Sequence, residues 1–91
     1  MRHARPPALA QLSGLLAEIR QLPSLVERQL GIFYRRSQSF LHFHEDPAGL
    51  FADLRLTPGD EFSRFQVDTS EQQARLLAAV AAVSAPTRPG P

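Results

Sequence analysis

The stretch that decides the fold is residues 39–56, SFLHFHEDPAGLFADLRL. Apolar and polar residues alternate on both sides of a central EDPAG segment, which is typical of two strands joined by a turn. We therefore predict a β-hairpin with one strand over 39–44, a turn over 45–49 and a returning strand over 50–56. Two of the three histidines of the chain lie on the first of these strands.

The rest of the chain predicts helices and further strands around this hairpin. Leucine and isoleucine recur every three or four residues over 8–22, which predicts an amphipathic helix. A capping-box pattern, Ser24 followed by Glu27, predicts a short helix over 25–30. Aromatic and β-branched residues predict strands over 32–36 and 61–67, and alanine-rich sequence after them predicts a C-terminal helix that ends at Ser84.

Together these elements predict one α+β domain over residues 8–84. We expect an antiparallel sheet of three to four strands, with the N- and C-terminal helices packed on one face. The segments 1–7 and 85–91 are rich in proline, arginine and small residues, so both are predicted to be disordered arms. A domain of this size buries only about 60% of the surface of its unfolded chain, which favours dimerisation.

The composition excludes several classes of protein. The chain has 91 residues and a formal net charge of +1, its ten basic residues are all arginine, and it has no cysteine. The lack of cysteine excludes thiol catalysis, disulfides and thiolate metal sites. No apolar run reaches the roughly 18–20 residues that cross a bilayer, and the N-terminus lacks the apolar core of a secretory signal. We therefore expect a cytoplasmic protein that does not enter the membrane.

Alternation along the predicted strands divides their side chains between two faces of the sheet. The inner face is predicted to carry Leu41, Phe43, Leu50, Ala52, Leu54, Leu56, Phe65 and Val67. The open face, which no helix covers, is predicted to carry Phe40, His42, His44, Phe51, Asp53, Arg55, Phe62, Arg64 and Gln66. The predicted register places His42 opposite Phe51, so that His42 and Asp53 are diagonal neighbours.

Three residues of the open face form a candidate metal site: His42, His44 and Asp53. Imidazole and carboxylate suit zinc or another divalent ion, and Glu45 or Asp46 at the turn can add a ligand. The same residues can also support hydrolysis, with a histidine as general base. No nucleophile or phosphate-binding glycine loop accompanies them, so we assign no catalytic residue. The structural alternative is two half-exposed histidines packed against phenylalanine.

The open face also interleaves aromatic and basic side chains, which is typical of protein interfaces and of surfaces that bind single-stranded nucleic acid. Because no RNP-like motif is present and Asp53 lies in the middle, we favour a second copy or another protein as the partner. The leading interpretation is a non-enzymatic interaction module that needs no cofactor, with metal or ligand binding as the alternative. The predicted binding surface is Phe40, His42, Phe51, Arg55, Phe62 and Arg64.

Several short segments resemble a known group of small bacterial domains of unknown function, sometimes labelled "luciferase domain". In that pattern a proline-marked helix end precedes a strand with His-x-His, and a short loop leads to a strand with Asp-Leu. The segments that carry the resemblance are Leu22-Pro23, Phe33, FLHFHED and LFADLRL, and the matching positions are Pro23, His42, His44, Asp53 and Leu54. The resemblance implies no particular activity.

Overall fold

A computed structural model describes residues 2–56 and 61–84. Within these residues the elements are β1 (Arg2–His3), α1 (Pro6–Ala10), α2 (Ser13–Arg20), β2 (Val26–Gln29), β3 (Ile32–Arg35), β4 (Gln38–Asp46), β5 (Gly49–Arg55), β6 (Phe62–Gln66) and α3 (Ser70–Ser84). The predicted α+β class and C-terminal helix are confirmed. The predicted arm at 85–91 lies outside the described residues.

The sheet is antiparallel and has six strands, so the prediction of three to four strands is an undercount. Its order is β2-β3-β4-β5-β6, and β1 pairs with β4. One edge of β4 pairs with β5, while its other edge pairs first with β3 and then with β1. Strand β4 therefore lies at the centre of the sheet.

The N-terminal segment is ordered, so the predicted disordered arm is wrong for residues 2–7. Arg2 and His3 pair with β4, and the backbone N–H of Ala4 donates to the carbonyl of Phe43 at 2.9 Å. Ala4 is buried, and α1 begins two residues later. Backbone pairing to the centre of the sheet orders a segment whose composition alone resembles a disordered arm.

Two of the predicted helices differ in the structure. The helix predicted over 8–22 is divided into α1 and α2, and the short helix predicted over 25–30 is instead strand β2. Pairing with β3 supplies the backbone hydrogen bonds of β2 and outweighs the local capping-box signal. The hydroxyl of Ser24, predicted to cap that helix, donates to the carbonyl of Ser84 at 2.8 Å.

All three helices contribute buried side chains to one hydrophobic core with the sheet. Its largest fully buried side chains are Phe33, Phe43, Leu12, Ile19, Leu41, Leu54, Leu76, Val67 and Val80. Each such side chain stabilises the fold by about 1.5–3 kcal/mol when it leaves water. Leu56, predicted to lie on the inner face, is 41% exposed because β5 ends at Arg55. Within the described residues, no helix has the length and apolar character to cross a membrane.

The β4–β5 hairpin turns more tightly than predicted. Asp46 pairs with Gly49, and the carboxylate of Asp46 accepts a hydrogen bond from the backbone of Ala48 at 3.0 Å. The shorter turn shifts the register by two residues, so His42 pairs with Asp53 and the predicted pairing of His42 with Phe51 is wrong. Because side chains alternate with a period of two, this shift by itself moves no side chain of β4 or β5 to the other face.

Phe40 forms a β-bulge where β3 meets β4. Phe33 pairs with Leu41 and Tyr34 with Ser39, which leaves Phe40 as an extra residue in β4. A two-residue loop at Arg36 and Ser37 precedes the bulge, and both residues have positive φ, 54° and 66°. This is the left-handed backbone of a tight hairpin turn, where asparagine and glycine are usual. The bulge changes the direction of Phe40, which is 3% exposed and belongs to the core.

Glu27 connects α2 to the β2–β3 hairpin, and its ionisation makes stability depend on pH. Its carboxylate accepts hydrogen bonds from Arg20 at 2.6 and 3.0 Å and from the backbone of Gly31 at 2.8 Å. The Arg20 bonds, opposed by burial, hold the pKa of Glu27 below its ordinary value of 4.5. This contribution to stability is complete above the unfolded-state pKa and is lost as the pH falls through the folded-state pKa.

We expect Glu27→Gln to lower the free energy of unfolding at pH 7 by about 1 kcal/mol, since Arg20 is partly exposed and the pair is screened. Urea denaturation of both proteins at several pH values measures this difference. It should shrink below about pH 4.5, as the wild-type carboxylate also becomes neutral. A difference that persists unchanged at pH 3 contradicts this account.

Candidate metal centre

Three side chains on the open face bring their donor atoms together. Nδ1 of His42 lies 2.9 Å from Nε2 of His44, which lies 3.0 Å from Oδ2 of Asp53. All three donor atoms lie within 4.8 Å of one another. The two histidines occupy alternate positions of β4, and Asp53 lies on β5 directly across from His42. The hairpin register therefore brings together the three residues of the predicted metal site, while metal binding itself stays a prediction.

Asp53 is held as an oriented carboxylate. It is only 7% exposed, and Arg64 from the neighbouring strand β6 donates two hydrogen bonds to it, at 2.9 and 3.1 Å. Burial acts to raise the pKa of Asp53, but the hydrogen bonds and charge of Arg64 outweigh it and lower that pKa. Asp53 is thus ionised at neutral pH, with one oxygen directed to His44.

The contacts of His44 specify its protonation. A carboxylate only accepts hydrogen bonds, so Nε2 of His44 carries the proton in its contact with Asp53. The same N–H also faces Nδ1 of His42, which then presents a lone pair. The other ring nitrogen of His44, Nδ1, is buried and has no hydrogen-bond partner within the described part of the chain. A buried polar atom without a hydrogen-bond partner lowers the stability of the fold by about 1–3 kcal/mol.

His42 is kept in its neutral form. Burial, followed by the nearby charge of His44, lowers the pKa of His42 and exceeds the opposing effect of Asp53. The ring also contacts that of Phe62, with centroids 4.6 Å apart and planes at 65°. Neutral imidazole is the form that binds metal ions, so His42 is ready to act as a ligand at neutral pH.

Sequence reasoning missed His3, which lies beside the same cluster. Strand β1 places His3 opposite His44, with ring centroids 6.3 Å apart and perpendicular planes. All three histidines of the chain therefore lie in one region of the sheet. A two-residue strand has no periodicity that reveals it, so the only available signal was the scarcity of histidine itself.

The turn carboxylates proposed as extra ligands do not join this group. Glu45 binds Arg5, accepting hydrogen bonds from its side chain at 2.8 and 3.1 Å and from its backbone at 2.9 Å. Asp46 closes the turn through Ala48. Within the described residues, the cluster of possible metal ligands contains His42, His44 and Asp53.

The predicted aromatic binding surface is smaller than expected. Phe40 is buried by the bulge, so its predicted place on that surface is wrong. Phe51 and Phe62 are half-buried, and the Arg55 guanidinium carbon lies 4.4 Å from the centroid of the Phe62 ring. Arg64 is exposed but bound to Asp53. Self-association and nucleic-acid binding through this face stay predictions.

Comparisons with protein-family models, with curated proteins and with solved structures found no match to this chain. The resemblance to the "luciferase domain" group stays a prediction.

The different burial of two phenylalanines on β4 and β5 gives a test. Phe40→Ala should lower the free energy of unfolding by about 3–5 kcal/mol, because it empties a core position. Phe51→Ala, on the half-buried face, should lower it by about 1 kcal/mol. Urea denaturation of the two variants measures both values, and equal losses contradict the placement of Phe40 in the core.

Proposed function

We propose that this domain binds a divalent transition-metal ion of the zinc type through Nδ1 of His42, Nε2 of His44 and Oδ2 of Asp53. The observation that carries the proposal is the convergence of these three atoms. Nδ1 of His42 lies 2.9 Å from Nε2 of His44, which lies 3.0 Å from Oδ2 of Asp53. Zinc bonds of about 2.0–2.1 Å in a tetrahedral site place neighbouring ligand atoms about 3.3 Å apart. Binding also requires Nε2 of His44 to give up its proton, to solvent or to Nδ1 of the same ring, because a metal ligand presents a lone pair. Side-chain movements then bring the three atoms, which lie within 4.8 Å of one another, to the tetrahedral spacing.

The types of ligand support a zinc-like ion over a hard cation. Two imidazole nitrogens and one carboxylate oxygen suit zinc and its neighbours in the first transition series. Calcium takes six to eight oxygen ligands, which this cluster does not offer. Three protein ligands leave a fourth position for water or for the nearby imidazole of His3.

Arg64 acts on the site through Asp53. Carboxylates that bind metals are themselves commonly hydrogen-bonded by a second group, which orients them. The two bonds from Arg64 do this for Asp53, while the positive charge of Arg64 repels a cation. We therefore expect an affinity for zinc below that of structural sites with four cysteine or histidine ligands. The proposal is limited to binding, and hydrolysis at this site stays a prediction.

Calorimetric titration of chelator-treated, tag-free protein with Zn²⁺ tests the site. We expect one ion per chain, and a loss of affinity by about 100-fold or more in His42→Ala, since removal of even an outer-shell group costs 10–100-fold. Asp53→Ala should lose as much affinity for zinc as His42→Ala. The control is Glu18→Gln, which removes an exposed carboxylate of α2 and should bind zinc like wild type.

The visible spectrum of bound Co²⁺ adds an independent measure, because tetrahedral Co²⁺ absorbs far more strongly than octahedral Co²⁺. A strong spectrum in wild type and its loss in His42→Ala are expected. Zinc binding that is unchanged in both His42→Ala and Asp53→Ala contradicts the site.

A variant of His3 tests whether this residue supplies the fourth ligand. If it does, His3→Ala should weaken zinc binding by about tenfold and change the Co²⁺ spectrum, because water replaces an imidazole. The control Arg2→Ala changes the other residue of the same strand and should have little effect. Equal affinity and an equal spectrum in wild type and His3→Ala assign the fourth position to water.

A further inference from the structure

Both oxygens of Asp53 are bound by the same guanidinium group. Arg64 donates from Nε to Oδ1 at 2.9 Å and from Nη2 to Oδ2 at 3.1 Å. The two donors therefore face the two oxygens together, in the paired geometry that is typical of arginine and carboxylate. Oδ2 has a further contact, with Nε2 of His44 at 3.0 Å. Asp53 thus presents one oxygen to the histidines while the guanidinium group holds both.

This guanidinium group limits how the carboxylate of Asp53 can bind a metal ion. A carboxylate binds through one oxygen or through both, and in the second case the ion lies between the two oxygens. The two N–H groups of Arg64 point at the same pair of oxygens and occupy that position. Each oxygen has two lone pairs, so Oδ2 can keep its bond to Arg64 and still offer a lone pair toward His44. With Arg64 in place, Asp53 is limited to one metal bond.

The sheet holds Arg64 in this position. Arg64 lies on β6 directly across from Asp53 on β5, and Asp53 lies directly across from His42 on β4. Asp53 is 7% exposed, and hydrogen bonds between charged groups are stronger where water is largely excluded. Chelation of an ion by both oxygens requires both of these bonds to break.

The number of bonds that Asp53 offers affects which ions the site prefers. Zinc is satisfied by four ligands in a tetrahedral arrangement, so one oxygen from a carboxylate is enough. Larger divalent ions take more ligands, and a carboxylate that chelates through both oxygens is a common way to supply them. Cadmium is the informative comparison, because it has the same charge and the same filled d shell as zinc but is larger. Restriction of Asp53 to one bond therefore weakens the binding of cadmium more than that of zinc.

We propose that Arg64 sets the ion selectivity of this site, by restricting Asp53 to one metal bond and so favouring zinc over larger divalent ions. The inference rests on the metal binding proposed above, and Arg64 is a positioning residue that acts through Asp53. The positive charge of Arg64 repels all divalent cations by a similar amount, so this repulsion lowers affinity without changing the preference among ions. The selectivity comes from the blocked oxygen.

The variant Arg64→Met frees both oxygens of Asp53. Methionine keeps an unbranched side chain and has no hydrogen-bond donor. Because the side chain of Arg64 is 53% exposed, this change empties no core position. The matched control is Arg75→Gln, which removes the same charge from the exposed pair with Glu71 on α3.

Calorimetric titration of chelator-treated protein with Zn²⁺ and, separately, with Cd²⁺ gives the ratio of the two affinities. We expect the preference for zinc to fall by about tenfold in Arg64→Met, the scale of effect of groups that orient a metal ligand, and to be unchanged in Arg75→Gln. An equal ratio in Arg64→Met and wild type overturns the inference, as does an equal fall in both variants. Because each ratio is taken within one protein, a general loss of stability does not mimic the effect.

The Nε–H signal of Arg64 in the ¹H–¹⁵N spectrum provides a measurement on the wild-type protein. Its absence from the spectrum of Arg64→Met assigns it. Zinc bound through one oxygen leaves this N–H hydrogen-bonded, so the signal should persist in the zinc-saturated protein. Loss of the signal on zinc saturation overturns the inference, because Arg64 has then left the carboxylate.

These outcomes are distinct from a failure of the metal site itself. If wild type binds zinc and its selectivity is the same as that of Arg64→Met, the selectivity role of Arg64 is wrong and the metal site stands. If wild type binds no zinc, both proposals are overturned.

Discussion

The pairing register between β4 and β5 is the constraint on which both the core and the candidate metal centre depend. Asp46 and Gly49 close the turn, and a side chain in place of Gly49 would meet the carboxylate of Asp68, which accepts a hydrogen bond from the Leu50 backbone at 3.0 Å. A slip of one residue would expose Leu41 and Phe43 and bury the histidines under the helices. Burial of the apolar face therefore fixes the positions of the His42, His44 and Asp53 donor atoms on the opposite face.

The polar face is organised by one buried charge. Asp53 is ionised despite its burial because Arg64 is held against it by the adjacent strand, and His44 then orients to the remaining oxygen. Removal of either partner leaves a buried charge without full compensation. The geometry of the two imidazoles is thus a consequence of how the sheet satisfies a single carboxylate.

The sequence predicted those features that depend on local periodicity. Alternation around His42 and His44 placed every donor on the correct face, even though the predicted turn was too long. Features that depend on pairing between residues far apart in the chain could not be predicted from the sequence. Strand β1 is too short to show a pattern, and the Ser24 and Glu27 signal of a helix cap is used instead for contacts to Ser84 and to Arg20. At Phe40 the adjacent apolar Leu41 interrupts the alternation, and this was the available signal of the bulge.

The three donor atoms of the candidate metal centre come from a single hairpin, whereas His3 and the helices join it from distant parts of the chain. Closing a short loop costs less chain entropy than joining distant segments, and hairpins form in about 1–10 μs. An ion bound to this cluster can therefore contact all three ligands while the helices are still unpacked. Metal would then raise the folding rate as well as the stability, because its site forms with the most local part of the sheet.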